Sequence, residues 1–185
     1  MSEQQQKQPR IAPIDPAEAD GKVAALFAAA NDALGLVPNL FRSLAASPEA
    51  LEAYLALDKL IAQGSFTPAE QQALKLYISQ RNECSYCVAA HCWGGRGTGF
   101  DDAELARIRR GEASDPKLAA LLNFAARVME TKGFVSDADL AAFRAAGYQD
   151  RHAADLCVIL AQKTLSNYFN HINDTVLDLP PAPPL

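Results

Sequence analysis

Apolar residues recur at intervals of three and four positions along most of the chain, as in helices that bury one face. The segment after Asp115, for example, places Leu118, Leu121, Leu122 and Ala125 on one stripe. No segment shows the sustained alternation of apolar and polar residues, with β-branched side chains, that indicates a strand. The pattern therefore predicts an all-α protein, a single-domain helical bundle of about eight helices.

Capping residues and glycines mark where the predicted helices begin and end. Residues 67–70 (Thr-Pro-Ala-Glu) combine an N-cap hydroxyl, a proline at the first helical position and a glutamate three residues after the cap. Residues 15–18 (Asp-Pro-Ala-Glu) have the same form and predict the start of the first helix. The glycine-rich run at 93–99 matches no phosphate-loop spacing, so we expect a flexible turn that ends the preceding helix.

The 185 residues are enough for one domain with a hydrophobic core, and no linker divides them. We expect a disordered, Gln-rich N-terminal tail at 1–10, the helical domain at 11–178 and an extended Pro-rich C-terminal tail at 179–185. The net charge of −5 argues against a nucleic-acid partner. No apolar run approaches the ~20 residues of a membrane span, and the N-terminus lacks the apolar stretch of a signal peptide. We therefore expect a cytoplasmic protein with no membrane partner.

The stretch with the clearest chemistry is residues 84–91, Cys-Ser-Tyr-Cys-Val-Ala-Ala-His. In a helix each residue turns by about 100°, which puts Cys87 about 60° and His91 about 20° to the same side of Cys84. Two thiols and an imidazole would then share one stripe. A thiol pair at this spacing can close a disulfide, and an imidazole one turn beyond can take a thiol proton or stabilise a thiolate. In a reducing compartment, such cysteines indicate redox or metal chemistry.

The residues around this motif resemble those of the AhpD-like alkylhydroperoxidases in the carboxymuconolactone decarboxylase superfamily. The resemblance rests on the capped helix at 66–72 and on the stretch 82–91, with its Asn before the cysteines, C-x-Y-C and A-A-H. It implies an all-helical fold and no cofactor. It also implies reduction of hydrogen peroxide or organic hydroperoxides, electron return from a dithiol protein or small thiol, and a trimer or hexamer.

On this reading Cys84 and Cys87 form the redox pair and His91 is the base. Cys87 is interpreted as the nucleophilic thiolate that becomes a sulfenic acid, with which Cys84 condenses. A free cysteine has a pKa near ~8.5, so such a role needs help from a neighbour such as His91. The spacing alone leaves open which cysteine attacks first.

The chain departs from the family at one position. Active members commonly carry a glutamate of a proton relay twelve residues before the first cysteine, and here that residue is Gln72, which cannot titrate. Glu70 lies about 200° away from it on the helix and fits a capping role, whereas Glu83 lies about 100° off the cysteine stripe. The relay candidates are therefore Gln72, Glu70 and Glu83, and His91 is the one base that the pattern supports.

Other functions remain open from the sequence. Cys84, Cys87 and His91 could hold zinc with Cys92 or Cys157, although no second C-x-x-C accompanies them. Haem attachment is disfavoured, because it would need a histidine directly after the second cysteine and Val88 is there. A lactone decarboxylase-like enzyme would not need the cysteines, and a non-catalytic redox sensor or scaffold would form the disulfide without turnover.

The remaining polar and aromatic side chains have simpler expected roles. Cys92 and Cys157 are expected to pack in the core, and His152 to lie on the surface at a helix start. Tyr86 is expected to pack against another helix or subunit rather than react. Burial is the expected role of Trp93, with a wall of the substrate pocket as the alternative.

Overall fold

The computed structural model describes residues 8–185, and within that range it contains helices and loops but no strand. The predicted all-α bundle is confirmed, with nine helices in the described range where the pattern predicts about eight. Part of the predicted disordered tail, residues 1–7, lies outside the described residues. No helix of residues 8–185 combines the length and apolar character needed to cross a membrane. The helices are α1 (Gly21–Leu34), α2 (Asn39–Leu44), α3 (Pro48–Ala62), α4 (Pro68–Arg81), α5 (Ser85–Gly97), α6 (Asp102–Arg109), α7 (Pro116–Thr131), α8 (Asp137–Ala145) and α9 (Asp150–Asn173).

Helix α4 is the centre of the bundle, and it contacts α3, α5, α6, α7 and α9. Its predicted capping box is present: the Thr67 hydroxyl accepts from the Glu70 backbone N–H at 3.2 Å, and the Glu70 carboxylate accepts from the Thr67 N–H at 2.8 Å. Most of the helix is buried on all sides, so its polar side chains need partners inside the protein. The buried polar residues of α4 are Gln71, Lys75 and Ser79.

The first helix begins at Gly21, not at Asp15. The Asp15 carboxylate accepts from the Ala17 N–H at 2.9 Å, and its carbonyl accepts from the Glu18 N–H at 3.0 Å. These bonds close a single turn, which the chain leaves again before Asp20 in extended conformation becomes the N-cap of α1. Interpreting 15–18 as a helix start is therefore wrong, because an Asx-type turn uses the same residues as a cap.

The glycine-rich run is helical, which corrects the expectation of a flexible turn. Helix α5 continues through Gly94 and Gly95 to Gly97. A Cβ on Gly94 would lie 2.8 Å from Gln72 Oε1, and a Cβ on Gly95 would lie 2.7 Å from Leu105 Cδ2. These glycines are there because α4 and α6 approach α5 too closely for a side chain.

Two clusters of buried apolar residues make up the core. The larger one joins α4 to α6, α7, α8 and the first half of α9, and it includes Cys92. The smaller one is formed mainly by α1, α2 and α3, and it also contains Cys84, Tyr86 and Cys87. The cysteine pair therefore packs in the smaller cluster, whereas Cys92 on the same helix packs in the larger one, as expected.

Helix α9 buries mainly apolar residues in its first half and polar residues in its second half. Two expectations for α9 are wrong: Cys157 is exposed, and His152 is buried, where its Nδ1 accepts from the Gln149 N–H at 2.9 Å. Cys157 follows Leu156 directly, and it is Leu156 and Ile159 that point into the core. The buried polar residues beyond them are Gln162, Lys163, Ser166, Asn167, Asn170 and Asn173.

Candidate active site

A tight junction between α4 and α5 positions the two thiols. Asn82 is the C-cap of α4, and its Nδ2 donates to Asn167 Oδ1 on α9 at 2.9 Å. Glu83 adopts a left-handed conformation with φ 59°, which turns the chain sharply. Cys84 follows as the N-cap of α5 and not as its first residue, and its N–H donates to the Ser79 carbonyl at 3.0 Å.

The two sulfur atoms share a polar environment although both residues are buried. Cys84 Sγ caps the helix by accepting from the Cys87 N–H at 3.4 Å. Asn170 Nδ2 lies 3.2 Å from Cys87 Sγ and 3.7 Å from Cys84 Sγ. The predicted neighbourhood of the two thiols is therefore present, and both are free in this structure.

The surroundings favour a thiolate on Cys87 rather than on Cys84. A hydrogen bond from the Cys84 thiol, the positive charge of Lys163 and the Asn170 amide together lower the pKa of Cys87 against the opposing effect of burial. The same thiol–thiol hydrogen bond, together with burial, raises the pKa of Cys84. Cys87 is also in the first turn of α5, where the helix dipole stabilises negative charge.

His91 is held by two side chains from other helices. Its Nδ1 lies 3.0 Å from Gln72 Oε1, and its Nε2 lies 2.8 Å from Lys163 Nζ. An ammonium group can only donate, so with Lys163 charged Nε2 accepts, and Nδ1 carries the ring proton that Gln72 accepts. Burial, followed by the charges of Lys163 and Lys75, lowers the pKa of His91. The lowered pKa and these two contacts fit a neutral imidazole that is bonded to the Gln72 amide and the Lys163 ammonium.

Lys163 is the functional candidate that the sequence analysis missed. Its side chain is 1% exposed, and Nζ lies 5.8 Å from the centre of the Tyr54 ring. Burial lowers the pKa of Lys163 to about 8 in spite of the attraction of nearby negative charge on Cys87. A sequence signal existed, because Lys163 follows Ile159 by four positions and Leu156 by seven, on the apolar stripe of the helix.

A second buried lysine is neutralised by a carboxylate. Lys75 Nζ lies 2.7 Å from Asp58 Oδ1, and Gln162 Nε2 donates to the same oxygen at 2.9 Å. The positive charge of Lys75 and these hydrogen bonds hold the pKa of Asp58 below its usual value, although burial opposes them. The Asp58 carboxylate thus forms an ion pair with Lys75. Within residues 8–185, Lys163 makes no ion pair with a carboxylate.

These groups line one cavity of about 170 Å³ between the N-terminal helices and α4, α5 and α9. Cys87, His91 and Lys163 all reach its wall, whereas Cys84 does not. The rest of the lining is largely aliphatic and aromatic, and it includes Trp93, which is half exposed. The alternative role of Trp93 as a pocket wall therefore fits better than burial. The apolar lining residues include Leu36, Pro38, Leu40, Phe41, Tyr54 and Leu179.

The three relay candidates differ in position. Gln72 contacts His91, as described. Glu70 serves the capping box, and its Oε1 accepts at 2.8 Å from the hydroxyl of Tyr148, which belongs to the larger cluster. Glu83 is exposed at the junction. Of the three, only Gln72 lies in the candidate site, and it brings no ionisable proton there.

The structure also places other polar and aromatic side chains. The Tyr86 hydroxyl donates to Asp178 at 2.7 Å and accepts from the Leu40 N–H at 3.3 Å, so Tyr86 joins α5 to α2 and to the C-terminal segment. His171 is exposed and stacks on Tyr168. Within residues 8–185, no three His, Cys, Asp or Glu side chains are arranged to hold a metal ion. The zinc alternative thus finds no ligand set there, since Gln72 and Lys163 occupy both nitrogens of His91.

Comparison with known proteins gives a family match over part of the chain and similar folds among solved structures. The model of the carboxymuconolactone decarboxylase family matches residues 48–131, which include α3 to α5 and the cysteine pair. No protein with a curated description matches the chain in sequence. Among solved structures, the chain is similar to the alkylhydroperoxidase AhpD core of a peroxidase-related protein from Ralstonia eutropha JMP134, with 26% identity, 93% of each chain covered and a TM-score of 0.84.

Two further structures share the fold at lower identity. A peroxidase-related protein from Silicibacter sp. TM1040 is 22% identical, with 93% of this chain and 94% of that chain covered and a TM-score of 0.77. The debrominase Bmp8 is 17% identical, with 91% and 92% covered and a TM-score of 0.75. At these identities the likeness shows the fold alone.

Proposed function

We propose that the chain, whose residues 48–131 match the carboxymuconolactone decarboxylase family, is an AhpD-like thiol-dependent peroxidase that uses Cys84 and Cys87. The observation that carries this proposal is that the two cysteines differ in their access to the cavity and in the direction of their pKa shifts. Cys87 reaches the cavity and has its pKa lowered, whereas Cys84 does not reach the cavity and has its pKa raised. A nucleophile needs access and negative charge, and the position of Cys87 in the cavity wall and its lowered pKa support these two requirements.

The proposed cycle has three balanced steps. The Cys87 thiolate attacks the outer oxygen of the peroxide, the O–O bond breaks, and the products are a sulfenic acid on Cys87 and an alcohol or water once the leaving oxygen is protonated. Cys84 then attacks the sulfenic sulfur, and water leaves as the disulfide forms. A dithiol donor reduces this disulfide and leaves as a disulfide itself.

The cavity supports small organic hydroperoxides as well as hydrogen peroxide. An apolar cavity of about 150 Å³ is large enough to bind benzene, and the volume here is about 170 Å³. Aliphatic and aromatic side chains such as Leu40, Phe41 and Tyr54 would contact the alkyl part of the substrate. The polar groups Cys87, His91 and Lys163 would face the peroxide oxygens.

His91 enters this proposal as a group that organises the site. The sequence-based prediction makes it the base for Cys87. Its lowered pKa fits a neutral imidazole, but its Nε2 faces Lys163, and the described hydrogen bonds of His91 include neither sulfur. We therefore propose that His91 supports the thiolate through Lys163, whose charge acts on Cys87.

Multiple-turnover consumption of tert-butyl hydroperoxide tests this function, with dithiothreitol as the dithiol probe. We expect activity in the wild type and in Cys92→Ser, and none in Cys87→Ser. Equal activity of Cys87→Ser and wild type would overturn the proposal. Disulfide formation without turnover would favour the redox sensor, and turnover of a lactone unaffected by alanine at both cysteines would favour the decarboxylase-like enzyme.

The oligomeric state, a trimer or a hexamer, stays a prediction. Light scattering in solution would check it.

A further inference from the structure

We propose that Lys163 is the acid that protonates the oxygen leaving from the peroxide, the role for which Gln72 offers no titratable group. This inference rests on the proposed peroxidase function of Cys87. It goes beyond that function because it assigns the proton of the first chemical step to a residue of α9 that neither the cysteine motif nor the matched family segment contains.

The first support is the placement of Lys163. Cys87 and Lys163 come from different helices and reach the wall of the same cavity. A peroxide with its outer oxygen at the Cys87 sulfur would bring its second oxygen toward the polar part of that wall. Lys163 and His91 belong to this part, together with Gln72 and the Asp58–Lys75 ion pair. With a side chain that is 1% exposed, Lys163 meets the substrate and not bulk water.

The second support is the charge balance of the cavity. The charged and titratable groups around Lys163 are Asp58 and Tyr54 on α3, Lys75 on α4, and Cys84, Cys87 and His91 on α5. Asp58 is hydrogen-bonded to Lys75, and burial keeps Tyr54 neutral by raising its pKa. What remains to balance the Lys163 ammonium is the Cys87 thiolate.

The pairing of the Lys163 ammonium with the Cys87 thiolate makes the lysine proton available when the peroxide O–O bond breaks. When Cys87 becomes a sulfenic acid, the negative charge that stabilises the ammonium passes to the departing oxygen. Lys163 is then a buried cation without that partner, and burial, the largest effect on its pKa, favours the neutral form. A pKa of about 8 already puts Lys163 near the pH of the reaction, where general acids work best.

The atoms balance with Lys163 included. In the first step thiolate, hydroperoxide and ammonium give sulfenic acid, alcohol and neutral amine. In the second, Cys84 and the sulfenic acid give disulfide and water. In the third, the dithiol donor supplies two electrons and two protons: one proton returns to Lys163 and the other to Cys84, and Cys87 is again a thiolate.

His91 and Gln72 hold the amine in position for this transfer. The Gln72 carbonyl accepts the Nδ1 proton of His91, which leaves the Nε2 lone pair facing Lys163 at 2.8 Å. One ammonium hydrogen is used in this bond, and the others remain for the cavity. A glutamine suits this role because it fixes the tautomer of His91 without exchanging a proton.

Substrates with different leaving groups test the proposal in a single turnover, with Cys87 oxidation followed by rapid quench and mass spectrometry. tert-Butyl hydroperoxide must release an alkoxide, which needs a proton, whereas peracetic acid releases acetate, which does not. In Lys163→Met we expect the rate with tert-butyl hydroperoxide to fall by about 10²-fold or more. We expect the rate with peracetic acid to change only by the fraction of thiolate, measured for each variant by iodoacetamide alkylation.

Two further variants complete the test. Lys163→Arg keeps the positive charge but releases no proton near neutral pH, so we expect it to retain the reaction with peracetic acid and remain slow with the hydroperoxide. Lys59→Met, on the exposed side of α3, controls for loss of a lysine and should match wild type. Equal losses with both oxidants, or no loss, would overturn the role of Lys163. If wild type and Cys87→Ser consume tert-butyl hydroperoxide at the same rate in multiple turnover, it is the peroxidase function that fails.

Discussion

Lys163 Nζ lies 2.8 Å from His91 Nε2, so the buried lysine of α9 is hydrogen-bonded to the histidine that ends the cysteine motif. This contact changes the chemical meaning of the motif. From the spacing alone His91 is the neighbour of the thiols, whereas in the structure its hydrogen bonds go to Lys163 and Gln72. The positive charge that lowers the pKa of Cys87 comes from the lysine.

Replacing Gln72 by glutamate should raise the pKa of His91. That pKa is now lowered by burial and by two positive charges, and a carboxylate at Nδ1 would favour the imidazolium by ~1–3 pKa units. An NMR pH titration of the three histidines would measure this shift. Gln80→Glu, on the same helix but bound by Arg109, is the matched control and should leave His91 unchanged. An unchanged His91 in Gln72→Glu would mean that residue 72 does not face the ring.

Alanine at Gly94 should disturb the site and leave the fold largely intact. The added Cβ would lie 2.8 Å from Gln72 Oε1, and this flexible amide would have to move away from His91. Peroxide turnover should fall while the thermal midpoint changes little. Gly97→Ala is the control, because a Cβ there meets nothing within 4 Å, and it should gain up to ~1 kcal/mol of helix stability without loss of turnover. Full activity in Gly94→Ala would argue against a role for the Gln72–His91 contact.

Removing the Cys84 thiol should raise the pKa of Cys87. The hydrogen bond from Cys84 is the largest of the effects that lower it, so in Cys84→Ala the thiolate should persist only at higher pH. The pH dependence of iodoacetamide alkylation measures this, in a Cys157→Ser background that removes the exposed thiol. The wild-type midpoint should lie below the ~8.5 of a free cysteine and rise in Cys84→Ala. Cys92→Ala should not shift it, and a shift of equal size there would contradict the assignment.

Glu70 should matter for stability and not for catalysis. Its carboxylate completes the capping box of α4 and accepts from Tyr148, away from the cavity. Glu70→Ala should therefore lower the free energy of unfolding by about 1–2 kcal/mol, as measured by urea denaturation. Turnover of the folded protein should be unchanged. A large loss of turnover at full folding would return Glu70 to the list of relay residues.

Much of the fold is predictable from the sequence because the signals are local. The cap at Thr67 and the apolar stripe of α7 each predict one helix without reference to the others. Asp15 shows the limit, since an aspartate before a proline suits a turn as well as a helix. At Gly94 the rule that glycines end a helix fails, because this glycine is required by the short distance between α4 and α5.

Only part of the candidate site is predictable from the sequence, because only some of its residues lie close together in the chain. Cys84, Cys87 and His91 lie within eight consecutive residues, so the sequence shows them together. Lys163 and Asn170 reach the site from a helix that begins more than fifty residues later in the chain. Their shared signal is polarity on a face that the bundle buries, and that face is known only once α9 is packed against α4 and α5.

Mass spectrometry of the alkylated protein after one equivalent of hydrogen peroxide tests the central claim most directly. We expect Cys84 and Cys87 to be joined in one peptide by a disulfide, with Cys92 and Cys157 still free. In Cys84→Ser the reaction should stop at a sulfenic acid on Cys87, which dimedone would trap. A protein in which Cys84 and Cys87 both remain alkylatable after peroxide, or in which the sulfenic acid forms on Cys84, would contradict the account.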